Sequence, residues 1–471
     1  MEALTTDQPV DRFAREGARN VAAALVSAVA GIVVVLVVTN GFPRPVSGTL
    51  FASTALFLVL LALCELGTDA GVARWIPAYL VAGRTAAAKR VTVVATVPVT
   101  AVSAVVGAVV FALADPIARV LDDGPAVDDV GRALRVLAVC LPIAAVYDTA
   151  LAATRAHGTI APTVLCERLG RSTGQILAVV AVQLAGGGIV ALAAAWAFPY
   201  VVALAVAGAW LQVVRGRASA DDPLPTADVT GAFWRFTSPR ALGQVLQAAL
   251  QRVDIVLVTA LLGVVDGAVY TAATRFVVLG QMGTLAVQQV LQPQLSGLLA
   301  SGDHDGAQRL LRTSTAWIMA MAWPIYLAFA VAAPVALDAF GGGYGGGGAT
   351  VVVLSGAMLV ATALGPVNVV LLMSGRSGTS TLYGGIALAV DVIGVLVLTG
   401  PFGITGAAIA WAAAILVRNW LTFVRVKRTL GLTTIGPTTV VVAVIVAVPF
   451  AVVAPFVRWG IDAGHREAAA L

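Results

Sequence analysis

From residue 20 onward the sequence is a succession of apolar stretches, each about 20 residues long, separated by short polar or glycine-containing breaks. A helix needs about 20 such residues to cross a hydrocarbon core ~30 Å thick. In lipid the backbone must also satisfy its own hydrogen bonds, which an α-helix does within one segment. The stretches lie near 20–39, 46–66, 91–113, 133–153, 164–184, 189–213, 236–263, 267–294, 312–333, 349–373, 379–399, 404–424 and 437–458. Composition agrees: 59% of the 471 residues are hydrophobic and 11% charged, against about a quarter charged in a soluble domain. That balance excludes a soluble enzyme, a nucleic-acid-binding module and a disordered scaffold. The expected fold class is an all-α integral membrane protein with about 13 transmembrane helices.

Lysine and arginine in the short loops set the orientation. With the N-terminus inside, the inner loops hold Arg12, Arg15, Arg19, Arg74, Arg84, Lys89, Arg90, Arg155, Arg215, Arg217, Arg235, Arg309, Arg312, Arg376, Arg425, Lys427 and Arg428. The outer side holds Arg44, Arg119, Arg132, Arg458 and Arg466, and also the acidic run Asp115, Asp122, Asp123, Asp128 and Asp129. The expectation is a multi-pass protein of the cytoplasmic membrane with a cytoplasmic N-terminus. An odd number of spans puts the C-terminus outside. Residues 1–19 have no signal-peptide core, and the run 20–39 has no cleavage site after it, so it reads as a retained helix.

Several kinds of site find no support in the sequence. Cys64, Cys140 and Cys166 are far apart in or beside apolar stretches, and His157, His304 and His465 show no metal-ligand spacing. The glycine run from Gly341 to Gly348, broken by Tyr344, lacks the G-K-[ST] of a phosphate loop and reads as a flexible connector. No catalytic triad, metal set or cofactor motif is found.

The two halves of the chain match at a shift of about 220 residues. Gly83 and Arg90 match Gly302 and Arg309, Pro116 matches Pro334, Gly158 matches Gly378, and Phe13 matches Phe233. A repeat of six spans enters the membrane twice in the same sense, so its copies are expected to be related by an axis along the membrane normal. The expected organisation is a cytoplasmic amphipathic N-terminus (1–19), an N-lobe of six helices (20–213), a cytoplasmic linker (214–235), and a C-lobe of six helices (236–424). A basic loop, one extra helix and a tail (425–471) follow. Two lobes facing a central cleft suit a carrier that works by alternating access.

Charges inside the spans point to that cleft. An arginine at mid-bilayer costs roughly 2.5–3.5 kcal/mol on insertion scales. Arg135 and Arg418 lie near span ends and can snorkel. Arg168, Arg171, Arg240, Arg252 and Arg275 need water or a partner, and Asp148, Asp254, Asp391 and Glu65 are available as neutralisers. Arg240, Gln244, Gln247, Gln251 and Asp254 step by 4, 3, 4 and 3 along span seven, which puts them on one helical face. Gln281, Thr284, Gln288 and Gln292 make a similar line on span eight, with Arg275 near its outer end. Arg168 and Arg171, three apart on span five, are expected to share one face in its inner half. A cleft with cations at two depths suits an anionic headgroup, because the planar guanidinium can grip a phosphate or diphosphate through paired hydrogen bonds. Asp254 has two readings, an ion pair with Arg275 or a site for a coupling cation.

Two segments carry a family resemblance. "LCELGTDAGVARWIPAYLVAGRTAAAKR" (63–90) resembles the end of span two in the polysaccharide transport family. "FTSPRALGQVLQAALQRVDIVLVTALLGVVDGAVYTAATRF" (236–276) resembles spans seven and eight of that family, with a mid-helix Asp before a start at Tyr270, Ala273 and Arg275. The resemblance implies the fold shared by multidrug extruders and lipid-linked sugar flippases, although the family usually has twelve or fourteen spans. It implies a flippase, not an enzyme, that moves an undecaprenyl-diphosphate-linked oligosaccharide outward for a cell-surface polysaccharide. The expected partners are that lipid-linked oligosaccharide, membrane lipids and enzymes of polysaccharide biosynthesis, with no nucleic acid. No cofactor is expected beyond coupling to membrane potential, H+ or Na+. The alternatives are a cation-coupled multidrug extruder of the same fold and a membrane polysaccharide polymerase or ligase. Span one carries no charge, which counts against the extruder, and the longest outer loop, about 114–132, is short and acidic, which counts against the polymerase.

Overall fold

A computed structural model of the chain describes residues 8–216 and 226–468, with side chains described for 25–215 and 229–455. Residues 1–7 of the expected N-terminal segment, 217–225 of the expected linker and 469–471 of the tail lie outside the described residues, as do the side chains that would make the N-terminus amphipathic.

The described residues form sixteen α-helices and no strand. They are α1 (Gln8–Gly41), α2 (Arg44–Cys64), α3 (Thr68–Val81), α4 (Thr85–Ala112), α5 (Ala114–Leu121) and α6 (Val127–Ala156). A π-helical segment (Thr163–Arg171) runs directly into α7 (Ser172–Leu184), and α8 (Ile189–Gly216) follows. Then come α9 (Thr226–Leu262), α10 (Val264–Ser301), α11 (His304–Val331), α12 (Ala333–Asp338), α13 (Gly348–Ala363), α14 (Val367–Met373), α15 (Ser377–Leu430) and α16 (Pro437–Ala468). Gly403, at φ 57 and ψ −142, breaks α15 into two helices. Twelve of the thirteen apolar stretches are helical to within a few residues of their ends, and 349–373 is broken at 364–366 into α13 and α14. Among the described residues, nine helical stretches meet the length and hydropathy of a span unaided, Ser377–Leu430 counting once. The fold class is all-α and membrane-spanning, with about 13 transmembrane helices.

The chain divides into two compact units. Unit 1 comprises Met1–Gly41, Ser53–Val120 and Val127–Ala248; unit 2 comprises Phe42–Ala52, Leu121–Ala126 and Ala249–Leu471. The cores are aliphatic with aromatic pins. In unit 1 Phe57 meets Trp196 edge-on at 5.5 Å, and Tyr147 meets Tyr200 at 5.9 Å. In unit 2 Phe276 meets Phe340 at 5.7 Å, and buried Tyr326 donates to the Val277 carbonyl at 3.2 Å.

Small residues set the closest helix approaches, as expected where lipid gives no hydrophobic reward for association. In unit 2 a Cβ on Gly48 would lie 1.7 Å from the Val264 carbonyl oxygen, and one on Gly280 would meet the Tyr326 ring at 2.2 Å. Some matched positions of the two halves share local geometry. Gly83 ends the segment after α3 at φ 72, and Gly302 caps α10 at φ 74. Pro116 sits in the short helix α5, and Pro334 in the short helix α12. Near the third match the left-handed residues are Gly158 and Gly375, so the register there differs from the pairing of Gly158 with Gly378.

Residues 68–81, expected as inner loop around Arg74, are helical in α3. The preceding turn is tight, with Leu66 at φ 53 and Gly67 at φ 73. Val72, Ile76 and Tyr79 repeat at helical spacing and are buried with Ala87, Val91 and Phe233. This apolar face is short and interrupted by Asp69 and Arg74, so it does not register as a span.

Candidate functional site

In unit 2 the site begins at the turn between α9 and α10. Gly263 has φ 87 and ψ 170, a conformation open only to glycine. Buried Asp122 accepts from Val264 N at 3.3 Å through Oδ1 and from Gly124 N at 3.1 Å through Oδ2, which ties Leu121–Ala126 to this turn. About two helical turns away on either side stand Asp254 and Tyr270. Asp254 is 3% exposed, and its Oδ2 accepts from the Tyr270 hydroxyl at 2.8 Å while Oδ1 accepts from Ile255 N at 2.9 Å. Asp391, on the first half of α15, is 0% exposed, and neither of its oxygens has a hydrogen-bond donor. Its charge interacts with that of Asp254. A carboxylate with neither water nor donor is costly to bury, and a proton or a bound cation relieves that cost.

The two arginines of this region act on Asp254 electrostatically. Arg275 makes no ion pair with it among the described residues; its Nε donates to the Thr271 carbonyl at 3.2 Å and its Nη2 to Thr274 Oγ1 at 3.2 Å. Asp254 is therefore held by Tyr270 and not by Arg275. The two residues are sixteen apart across the turn, and no spacing rule on a single helix connects them. Arg252 is half-buried beside them.

The polar stripe of α9 is realised as one continuous helical face over 240–254. Gln247 and Gln251 are exposed, while Gln244 is half-buried with its Oε1 unpartnered. Arg240, at the inner end of the stripe, is exposed, and its Nη1 turns back to the Phe236 carbonyl at 2.6 Å. On α10, Gln281 and Gln288 are half-buried and Gln292 is exposed.

Unit 1 holds a second, differently built cluster. Residues 163–171 are π-helical, which widens the turn to about four and a half residues. Positions three apart then diverge, so Arg168 and Arg171 do not share a face as an α-helix would have required. Arg171 lies over the Tyr200 ring, 5.1 Å from its centroid, with Nη1 3.5 Å from the hydroxyl. Its neighbours are acidic. Asp148 and Glu167 both act on it, and the Asp148 carboxyl is hydrogen-bonded to that of Glu65. Arg155 bridges Asp69 and Glu167, at 3.8 Å each. Four carboxyl groups thus meet two guanidiniums. A hydrogen bond between two carboxyls needs a proton on one of them. Around Arg171 the surroundings are acid-rich, and of the carboxyls expected as neutralisers Asp148 acts on it directly.

Comparison with known proteins decides the family. Residues 44–343 match the family model described as "Polysaccharide biosynthesis protein". The chain belongs to that family. Among solved structures, the fold resembles an inward-facing multidrug resistance MATE family transporter of the MOP superfamily, with TM-score 0.73 and 16% identity over 86% of this chain and 94% of the other. It also resembles the lipid II flippase MurJ in an inward closed conformation, with TM-score 0.70 and 10% identity over 95% and 99%. A MOP superfamily transporter from Pyrococcus furiosus, titled for the reverse polarity of its binding pocket, aligns with TM-score 0.60 and 17% identity over 88% and 94%. Curated proteins give no match. The match makes this chain a multi-pass member of that polysaccharide family, in line with the resemblance of segments 63–90 and 236–276, and its fold is the one seen in the MATE transporters and the lipid II flippase.

Sequence reasoning singled out Asp254 but treated Asp391 only as a neutraliser. The missed signal was a lone charge in the middle of "GGIALAVDVIGVLVLTG", with no basic residue within ten positions on either side.

Proposed function

We propose that this protein is a flippase that carries a polyprenyl-diphosphate-linked oligosaccharide from the cytoplasmic to the outer leaflet of the cytoplasmic membrane, by alternating access and with its N-terminus inside. The observation that carries this reading is the family match over 44–343 on a chain with the MOP transporter fold. A polysaccharide biosynthesis family match on a transporter-type membrane fold fits the transfer of a lipid-held sugar intermediate. Arg252 and Arg275 would meet the diphosphate, and the glutamines of α9 and α10 the sugar hydroxyls. Asp391, with Asp254 as its electrostatic neighbour, would hold the coupling proton or sodium ion, because a buried carboxylate without a donor offers a monovalent cation its strongest gain. The protein's partners are then the lipid-linked oligosaccharide, surrounding lipids and the enzymes that build and extend the polymer.

A second reading, a cation-coupled drug extruder, is favoured by one observation: the acid-rich cluster of unit 1 suits a cationic substrate. Complementation separates the two. In a bacterium lacking its own oligosaccharide flippase, the wild type restores surface polysaccharide, and membrane-inserted Arg252→Ala, Arg275→Ala and Asp254→Ala do not. Drug resistance without polysaccharide would install the extruder. Full activity in every variant would reduce these residues to scaffolding.

A further inference from the structure

Unit 1 contains a pair of arginines made of Arg240, at the inner end of the α9 stripe, and Arg74 of α3, which belongs to none of the clusters described above. Gly67 and Gly71 let α3 lie directly on α9. A Cβ at Gly67 would sit 2.7 Å from Ala241 N, and one at Gly71 would sit 2.2 Å from Thr237 Oγ1. This close approach sets Arg74, one turn beyond Gly71, beside the ring of Phe236, with its Cζ 4.3 Å from the centroid. Arg240, one turn further along α9, places its own Cζ 3.6 Å from the same centroid. The two guanidinium carbons therefore lie within about 8 Å of each other, a distance at which like charges near a surface repel appreciably.

Among the described residues no carboxylate offsets that repulsion, and the one acceptor seen is the Phe236 carbonyl, which takes Arg240 Nη1 at 2.6 Å. Neither arginine forms an ion pair with a carboxylate among the described residues, and both are exposed. The nearest acidic residue on α3, Asp69, is engaged by Arg155. Two donors in the same pair of helices have no acceptor: the buried Trp75 Nε1, whose ring lies 5.5 Å from Arg74 Cζ, and the buried Thr237 Oγ1. The aromatic ring holds the cations but gives them no hydrogen-bond acceptor. What such a group lacks is an anion with several acceptor oxygens, and paired guanidiniums with an indole N–H fit a phosphate or diphosphate ester. Tryptophan beside arginine on a membrane protein is also the signature of headgroup depth.

We propose that Arg74, Phe236 and Arg240 form a binding site for the phosphate-bearing headgroup of a lipid. The ligand is either the diphosphate of the polyprenyl carrier or an anionic phospholipid. Only the first source rests on the flippase reading; the site itself does not.

The test is binding by purified full-length protein in detergent, followed by native mass spectrometry with farnesyl diphosphate, dioleoyl-phosphatidylglycerol, inorganic diphosphate or dioleoyl-phosphatidylcholine as probes. The double variant R74Q/R240Q is expected to lose binding of the phosphate-rich lipid by about tenfold or more, and phosphatidylcholine binding is expected to stay unchanged. Preference for farnesyl diphosphate over phosphatidylglycerol assigns the site to the carrier, and the reverse preference assigns it to bulk lipid. Binding of inorganic diphosphate alone, unaffected by a tail, contradicts a lipid site. If R74Q/R240Q binds every probe as the wild type does, the proposal is wrong. Should that variant fail to insert, the wild type decides: phenylglyoxal modification of Arg74 and Arg240 is slowed by saturating farnesyl diphosphate or phosphatidylglycerol if the site exists, and an unchanged rate with both overturns it. Binding is read without transport, so loss of the site and failure of the flippase reading are separable results.

Discussion

Unit 1 and unit 2 each enclose charged side chains, but they treat them differently. In unit 1 Glu65 bonds Asp148, Arg155 spans Asp69 and Glu167, and Arg171 rests on Tyr200, so each group has a partner and several have two. In unit 2 Asp254 has a single side-chain donor, Tyr270, and Asp391 has none. The networked cluster can lose a member and reorganise through neighbours that are about a third exposed. The isolated carboxylate cannot. A network of this kind can maintain structure and local polarity by itself, whereas in the coupling role proposed above the lone buried carboxylate would receive a cation from outside the chain.

The contrast can be broken experimentally, and the largest effect is expected at Asp391. Asp391→Asn removes the unpartnered carboxylate without changing shape. It is expected to reduce transport by about tenfold or more. Thermal unfolding in detergent should show a protein as stable as the wild type, or more stable by roughly 1–3 kcal/mol. A destabilised Asp391→Asn would mean that the carboxylate has a structural partner, and the contrast would fail.

Tyr270→Phe comes next. It leaves Asp254 with only the backbone N–H of Ile255, at an expected cost of about 1–3 kcal/mol in denaturant unfolding, because a buried acceptor loses its donor. The double variant Tyr270→Phe with Asp254→Asn should recover part of that loss.

In unit 1, Asp148→Asn should cost less, about 1 kcal/mol, since the new amide can still donate to Glu65. Smaller again is Arg155→Gln. Its two ion pairs are long and its side chain is 38% exposed, so a change within about 1 kcal/mol is expected. The smallest effect on stability belongs to Gln247→Ala, an exposed position expected to stay within about 0.5 kcal/mol. Any transport defect there would be a direct reading of the sugar path.

Much of this architecture was legible in the sequence because lipid imposes a simple rule: each apolar run of sufficient length must be a helix. Twelve runs obeyed it, and 349–373 did so in two pieces, α13 and α14, on either side of Gly365. Where other forces act, the rule gave less. Helix α3 escaped because its burial depends on Gly67 and Gly71 admitting α9, a contact between residues 170 positions apart. The π-helical segment escaped because hydropathy carries no information on helical pitch, and with it went the shared face of Arg168 and Arg171. Asp254 was found through its place on a stripe of period 3.6, whereas Asp391 has no polar neighbours on its helix to form a pattern. The partner of Asp254 was missed for the same reason: Tyr270 reaches it across a turn, from a different helix.

The central claim is that this chain moves a lipid-linked sugar across a bilayer, and reconstitution tests it most directly. The purified protein is placed in liposomes containing a fluorescent polyprenyl-diphosphate oligosaccharide, and an added membrane-impermeant reductant reports how much probe has reached the outer leaflet over time. The account predicts rapid, protein-dependent exchange of the inner pool that is abolished in Asp391→Asn and in Arg275→Ala. Exchange no faster than in protein-free liposomes, from a correctly folded preparation supplied with proton and sodium gradients, would contradict it.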